Sequence, residues 1–135
     1  MTAIATHTVL VVDDNADDAE FTKRALLKSG RGGLRVRSVG RGESALTVLR
    51  EEEELPSLIL LDLKMPGMSG IDTLRQIRAD ERLRRIPVVI LTNSTLESDE
   101  QEAYREGADG FLHKAFDIDQ FEREIKAALY AWLGD

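Results

Sequence analysis

Four short apolar runs, each followed directly by a polar residue, constrain the fold of this chain more than any other feature. Such near-continuous runs are typical of strands that are buried on both faces of a parallel sheet. The stretches between them have helical spacing, and this alternation predicts a parallel sheet with helices on both faces. The runs and the residues that follow them are Val9–Val12 before Asp13 and Asp14, Leu58–Leu61 before Asp62, Val88–Leu91 before Thr92, and Phe111–His113 before Lys114.

The remaining elements follow from residue spacing and from capping residues. Residues 34–39 alternate apolar and polar side chains and carry two arginines, which is typical of an edge strand. The fourth helix is poor in apolar residues, which predicts weak anchoring to the core. The last helix begins at a cap, Asp117, and its predicted apolar face includes Ile118 and Trp132. Helices are expected at about 15–29, 42–53, after Gly70, at about 96–106 and from 118 to the end.

Length and composition exclude several classes of protein. The 135 residues predict one domain, with a core over about 7–133 and no attached output domain. The chain has no cysteine, which excludes disulfides and thiol chemistry. It has neither a secretory leader nor an apolar run near the roughly 20 residues that cross a bilayer, so a cytoplasmic location is expected. The net charge is −7, and the densest arginine group (Arg82, Arg84 and Arg85) is interpreted as a solvated loop, so nucleic-acid binding is not expected.

The polar residues after the strands predict a site for phosphoryl chemistry. Ligands of open parallel sheets bind beyond the carboxyl ends of the strands, where Asp13, Asp14 and Asp62 would meet. Three close carboxylates repel one another unless a cation neutralises them, and their hard oxygen ligands favour Mg²⁺. Asp62 ends the most buried strand and is the candidate nucleophile toward phosphorus. Lys114 and Thr92 supply an ammonium and a hydroxyl for the charge of a transferring phosphoryl group.

At these residues the chain resembles response regulator receiver domains, the phospho-accepting partners of sensor histidine kinases. The resemblance covers nearly the whole chain, and the stretch around Asp62 is the most specific part of it. It implies a three-layer α/β/α, flavodoxin-like (βα)5 fold with strand order 2-1-3-4-5. The matching segments are Val11–Asn15, Leu60–Gly70, Ile90–Thr92 and Gly107–Lys114.

The resemblance also implies a role for each site residue. Asp62 would accept phosphate from a kinase phosphohistidine, and Thr92 and Lys114 would bind the phosphoryl oxygens. Phe111 falls at the position of the family's switch aromatic. The implied Mg²⁺ ligands are Asp13, Asp14, Asp62 and the backbone carbonyl of Lys64.

The predicted function is that of a single-domain phosphorelay regulator rather than an enzyme. Phosphorylation would change a protein-binding surface around the fourth helix, fifth strand and fifth helix. The segment before Ile86 and the Trp132-Leu133 ending are similar to small regulators that accompany phytochrome-type sensor kinases. The sequence names neither the kinase nor the downstream target, and it leaves open whether Trp132 closes the core or pairs two copies of the chain.

Two departures from the family pattern carry further predictions. The family usually has proline after the lysine, joined by a cis bond, and here Ala115 follows Lys114. We expect this bond to be cis, although a cis bond before a non-proline residue costs about 3–4 kcal/mol. Lys64 and Asn93 flank the expected pocket, and we expect them to hinder the water that hydrolyses the acyl phosphate.

Three other functions fit parts of the sequence less well. A Mg²⁺-dependent phosphatase resembling the haloacid dehalogenase family would carry a second aspartate where this chain has Lys64. A flavodoxin-type FMN carrier would need a phosphate-binding loop after the first strand, where this chain is acidic from Asp13 to Asp18. A receiver-like scaffold that never accepts phosphate would not need the complete acidic set.

Overall fold

In the computed structural model, which describes residues 7–114 and 117–134, strands and helices alternate along the chain. The strands are β1 (His7–Val12), β2 (Leu34–Val39), β3 (Leu58–Leu61), β4 (Val88–Thr92) and β5 (Gly110–His113). The helices are α1 (Ala16–Leu27), α2 (Gly42–Glu51), α3 (Gly70–Ala79), α4 (Glu97–Arg105) and α5 (Ile118–Leu133). The helices end up to about two residues earlier than predicted, as expected where helix ends fray.

The described strands form one parallel sheet in the order β2-β1-β3-β4-β5, which confirms the predicted flavodoxin-like topology. The register pairs Val12 with Leu61 and Leu61 with Ile90, so β1 and β3 end level with each other and β4 extends two residues further. Asp13 and Asp62, which follow β1 and β3, and Thr92, which ends β4, therefore lie at one edge of the sheet.

Two apolar clusters cover the two faces of the sheet, as the period of two along a strand requires. Leu10, Ile59 and Ile90 face the cluster that includes residues of α2 and α3. Val11 and Leu60 face the other cluster, to which α1 and α5 contribute. Because both faces are covered, the central strands are apolar at every position, which explains the continuous runs in the sequence.

Side-chain caps begin three of the described helices. The side-chain oxygen of Asn15 accepts a hydrogen bond from the Asp18 N–H at 3.0 Å, and Ser69 caps α3 in the same way. The Asp117 carboxylate accepts from the Gln120 N–H at 3.0 Å, which confirms the predicted start of α5. Such caps each stabilise a helix by about 1 kcal/mol, and they fix where each helix leaves its loop.

One expectation about burial is wrong, and one loop residue has contacts that were not expected. Ile118 was expected on the apolar face of α5, yet it is 53% exposed because it is the first residue of that helix. Trp132, whose role the sequence left open, is 37% exposed, although Leu133 after it packs against the core. Arg82 is exposed, as expected for its loop, but it also has partners that the sequence did not indicate. Its guanidinium donates to the backbone carbonyls of Leu49 at 2.8 Å, of Glu53 at 3.0 Å and of Glu52, at the end of α2, where carbonyls have no partner within the helix.

The end of the sheet opposite the polar residues is held by Arg78, on α3. Its guanidinium donates to the backbone carbonyl of Gly107 at 2.9 Å and to that of Ile86 at 2.8 Å. It also binds the Asp109 carboxylate at 2.9 Å, and the same carboxylate oxygen accepts from the Val88 N–H at 2.9 Å. One side chain therefore joins the chain segments that lead into β4 and β5.

Candidate functional site at the carboxyl edge of the sheet

An acidic cluster lies at the carboxyl ends of β1 and β3. It consists of Asp13, Asp14 and Asp62, and one carboxylate oxygen from each lies within 4.8 Å of the others. Asp13 and Asp62 are buried, whereas Asp14 is exposed. Oxygen donors at this spacing, with one side open to solvent, fit a hard divalent cation that keeps some of its waters.

The ammonium of Lys114 lies among these acids. Its Nζ is 2.8 Å from Asp13 Oδ2, 2.9 Å from Asp62 Oδ2 and 3.0 Å from Asp18 Oδ2. Only 10% of the Lys114 side chain is exposed, and its hydrogen bonds to the three carboxylates outweigh burial and raise the pKa of Lys114. The ammonium is therefore charged and in direct contact with the predicted nucleophile.

Burial raises the pKa of Asp13, although the hydrogen bonds from Lys114 and from the Asn15 N–H lower it. The Asn15 N–H donates to Asp13 Oδ1 at 2.9 Å, so each oxygen of this carboxylate has a positive partner. The raised pKa therefore reflects mainly the burial of this carboxylate, and the charge of nearby Asp62 adds a smaller contribution. A bound cation would offset both effects.

Asp62 is fixed by the backbone around it. Its N–H donates to the Val12 carbonyl at 2.9 Å, and its Oδ1 accepts from the Lys64 N–H at 3.4 Å. Gly70, at the start of α3, packs directly on the backbone of Asp62, where a Cβ would lie 2.1 Å from the Asp62 carbonyl oxygen. The position of the carboxylate is therefore set by strand β3 and by helix α3 together.

Thr92 ends β4 and is fully buried. Its Oγ1 accepts from the Ser94 N–H at 3.3 Å, and the Ser94 hydroxyl donates to Asp99 Oδ2 at 2.5 Å. The Lys64 ammonium lies 3.5 Å from the same Asp99 oxygen. These contacts connect the Thr92 hydroxyl to the first turn of α4 and to the loop after β3.

Phe111 lies on β5, paired in register with Ile90. It is half-buried against the apolar cluster that includes α2 and α3, and its ring meets that of His113 edge-on, with centroids 5.4 Å apart. Next to it, α4 buries Ala103 and exposes Tyr104, as expected for a weakly anchored helix. An aromatic ring and a loosely packed helix thus adjoin the Thr92 strand.

The structure brings together most of the residues singled out in the sequence. Asp13, Asp14, Asp62 and Lys114 share one cluster, and the Lys114 N–H donates to the Thr92 carbonyl at 2.9 Å. The side chain of Lys64 is exposed and directed to Asp99, and Asn93 is exposed as well. The predicted cis bond between Lys114 and Ala115 lies outside the described residues.

Sequence reasoning missed three contributors to this edge. Asp18 was noted only as part of the acidic stretch after the first strand, where the first helix begins, and Ser94 and Asp99 were not singled out at all. Asp18 lies 96 positions before its partner Lys114, so no local pattern connects the two residues. The one signal in the sequence is the position of Asp18 in the first turn of the helix that follows Asp13 and Asp14.

Comparison with known proteins identifies the family of this fold and site. Residues 9–126 match the response regulator receiver domain. The polar-differentiation response regulator DivK of Brucella ovis is 32% identical over 130 residues, which cover 96% of this chain and 98% of DivK. The chain belongs to the response regulator receiver domain family, whose members are phospho-accepting signalling domains that interact with histidine kinases and with downstream targets.

Solved structures agree with this assignment. The phosphorylated cyanobacterial phytochrome response regulator RcpA has a TM-score of 0.86 and 31% identity, with 94% of each chain covered. The Mn(2+)-bound form of the response regulator Rcp1 has a TM-score of 0.83 and 27% identity, also with 94% of each chain covered. Among the described residues, no helix is both long and apolar enough to cross a membrane.

Proposed function

We propose that this chain is a single-domain response regulator that accepts a phosphoryl group on Asp62 from the phosphohistidine of a sensor kinase. The observation that carries this proposal is the contact of 2.9 Å between the Lys114 ammonium and Asp62 Oδ2, inside a cluster of three carboxylates. A lysine that only balanced surface charge would not be nine-tenths buried against two buried acids.

In the proposed reaction, a carboxylate oxygen of Asp62 attacks phosphorus as the bond from phosphorus to the histidine nitrogen breaks. The oxygens of the transferring group carry negative charge, and Lys114 is already in place to receive one of them. The Thr92 hydroxyl, which now accepts a hydrogen bond from the Ser94 N–H, would donate its own hydrogen to another phosphoryl oxygen. Burial of Asp62 limits the access of competing water.

The cation of this site is proposed to be Mg²⁺, held by Asp13, Asp14, Asp62 and the backbone carbonyl of Lys64. When bound, it would neutralise the carboxylates and hold a phosphoryl oxygen. The three closely spaced carboxylate oxygens support a cation here, since like charges at this spacing need a neutralising partner. The family likeness to a regulator with a Mn(2+)-bound form also supports a divalent ion.

The proposed output is a change of the surface formed by α4, β5 and α5. If the Thr92 hydroxyl leaves the Ser94 N–H, the loop that joins Thr92 to Asp99 loses one of its ties to β4. The Phe111 ring would then move toward the space that Thr92 vacates. The small buried area of α4 makes this helix the element that costs least to shift.

The proposed partner is a phytochrome-type sensor histidine kinase, since RcpA, which is similar in 94% of its length, is a phytochrome response regulator. A homodimer is a further proposal, supported by the exposure of Trp132 and Tyr130 on α5. Sizing with and without the phosphoryl mimic beryllofluoride tests it. The single-domain organisation and the cytoplasmic location stay predictions from the sequence.

The test of the phosphoacceptor uses acetyl phosphate with Mg²⁺, followed by intact mass and by peptide mapping after borohydride reduction. We expect a gain of about 80 Da, the mass of one added HPO₃, on Asp62. Asp62→Asn should show none, and the matched control Asp72→Asn, which removes an exposed acid of α3, should react like the wild type. Absence of an adduct with acetyl phosphate and with a phosphorylated kinase would refute the proposal and favour a scaffold that never accepts phosphate.

The phosphatase alternative receives no support from the site. A second acid two residues after the nucleophile would be needed, and Lys64 stands there with its ammonium 3.5 Å from Asp99. Turnover of a phosphorylated small molecule beyond one equivalent per chain would reopen that alternative.

A further inference from the structure

In the part of the chain that the structure describes, Asp18 is the one partner of the Lys114 ammonium that lies outside the acidic cluster. Its Oδ2 accepts a hydrogen bond from Lys114 Nζ at 3.0 Å, and its side chain is 35% exposed. The other two partners, Asp13 and Asp62, belong to the cluster suited to a cation, and among the described residues Asp18 does not. Three carboxylates thus contact one ammonium, but only Asp13 and Asp62 also belong to the cluster suited to a cation.

The ammonium has enough N–H groups to contact Asp13, Asp18 and Asp62 at the same time. A lysine ammonium has three N–H groups and no acceptor, and here three carboxylate oxygens lie within 3.0 Å of it. Under the proposed function, Asp13 and Asp62 would turn their charge toward a cation, and Asp62 would carry a phosphoryl group. Asp18 would keep its oxygen on the ammonium throughout.

The backbone that carries the Asp18 side chain is held by the N-terminal cap of α1. The Asp18 N–H donates to the capping oxygen of Asn15 at 3.0 Å, so the first turn of α1 is fixed at this residue. A lysine side chain has four rotatable bonds, and a fixed anion at its tip restricts the ammonium before the reaction begins. The pKa of Lys114, which these contacts raise, agrees with this arrangement.

We infer that Asp18 is a positioning residue, which holds the Lys114 ammonium beside Asp62 so that its remaining N–H groups meet the incoming phosphoryl oxygens. The expected effect of Asp18 on phosphorylation rests on the proposed function, whereas its contact with Lys114 does not. Loss of Asp18 would leave the lysine charged and would leave the cluster intact, yet the ammonium would sample more orientations.

A simpler role for Asp18 is that of an acid at a helix N-terminus, which favours negative charge. Asp17, its neighbour, offers the matched control, since it lies in the same first turn and is exposed. Asp17→Asn and Asp18→Asn remove the same formal charge from the same turn. A difference between them therefore reports the contact with Lys114 and not the helix terminus.

The experiment compares wild type, Asp18→Ala, Asp18→Asn and Asp17→Asn in the full chain. Side-chain ammonium groups are observed by ¹H–¹⁵N NMR of lysine-labelled protein, without metal and with Mg²⁺, and the Lys114 signal is identified by its loss in Lys114→Arg. We expect an ordered, slowly exchanging Lys114 signal with Mg²⁺ in wild type and in Asp17→Asn. The signal should broaden or vanish in Asp18→Ala and be intermediate in Asp18→Asn, which keeps the oxygen acceptor.

The second measurement is the rate of phosphorylation by acetyl phosphate at saturating Mg²⁺. We expect Asp18→Ala to be slower than Asp17→Asn by roughly threefold or more, the loss expected for a partly exposed charge-assisted hydrogen bond. An unchanged Lys114 signal in Asp18→Ala, or equal rates in Asp17→Asn and Asp18→Ala, overturns the inference. If wild type accepts no phosphate, the proposed function fails, and the NMR comparison still decides whether Asp18 holds Lys114.

Discussion

Replacing Gly70 with alanine should move the proposed nucleophile as well as destabilise the fold. An ideal Cβ at this position lies 2.1 Å from the Asp62 carbonyl oxygen and 2.6 Å from the Leu63 Cα. Both atoms belong to the backbone, so no side chain can rotate away. The Gly70 N–H also donates to the Leu63 carbonyl at 2.9 Å, which holds the helix start against this loop.

The size of the effect follows from how far the backbone must move. Acceptable contact requires a shift of about 1 Å between the start of α3 and the loop after β3, and overpacking of this kind costs about 3 kcal/mol. Alanine regains about 1 kcal/mol because it restricts the unfolded chain and favours helix. The net loss of about 2 kcal/mol lowers the Tm by roughly 8 °C. A displacement of 1 Å at a reacting group slows chemistry by up to about 100-fold.

Urea unfolding and the rate of phosphorylation by acetyl phosphate test both parts. Gly32→Ala is the matched control, since a Cβ there meets nothing within 4 Å. This control should be unchanged or more stable by about 0.5 kcal/mol, with a normal rate. If Gly70→Ala is as stable and as reactive as wild type, the inferred close packing of α3 on the Asp62 backbone is wrong.

Further predictions concern the arginine contacts, the lifetime of the acyl phosphate and the linkage between pH and metal. Arg82→Met should lower the free energy of unfolding by about 1–2 kcal/mol, since the carbonyls at the end of α2 lose their donor, while Arg85→Met should change it by less than about 0.5 kcal/mol. Combined Lys64→Ala and Asn93→Ala should speed hydrolysis of the acyl phosphate, measured by loss of the mass adduct; an unchanged half-life would contradict the proposed shielding from water. Because the pKa of Asp13 is raised in the folded chain, Asp13 stabilises the fold below its ordinary pKa of 3.8, and this contribution is lost as the pH rises through the raised value. The increase in Tm caused by Mg²⁺ should therefore grow with pH across that window, and this growth should be weaker in Asp13→Asn.

The fold was predictable because its central strands carry an unusually plain signal. A strand such as β3, buried on both faces, must be apolar at each position, and the polar residue after it must stand at the edge of the sheet. Once the strands were located, topology brought Asp13, Asp62 and Lys114 together without any knowledge of side-chain positions. That part of the site follows from the backbone alone.

The contacts that sequence reasoning missed depend on long or polar side chains that reach between distant elements. Arg82 occurs in a charged loop, and nothing in its neighbours indicates that its guanidinium binds the carbonyls of another helix. Asp18 has a sufficient local explanation as an acid near a helix start, which hides its contact with Lys114. Ile118 has the correct spacing for the buried face of α5, but periodicity does not show where the core begins along the helix.

The contacts of Arg78 have a consequence for the direction of any rearrangement. They fix the entry of β4 and the approach to β5 at the end of the sheet remote from Asp62. Because these contacts hold the start of β4 and of β5, neither strand is expected to slide along its own axis. A displacement of Thr92 would therefore be a tilt of β4 about its fixed start, largest at the end of the strand and smallest beside Arg78.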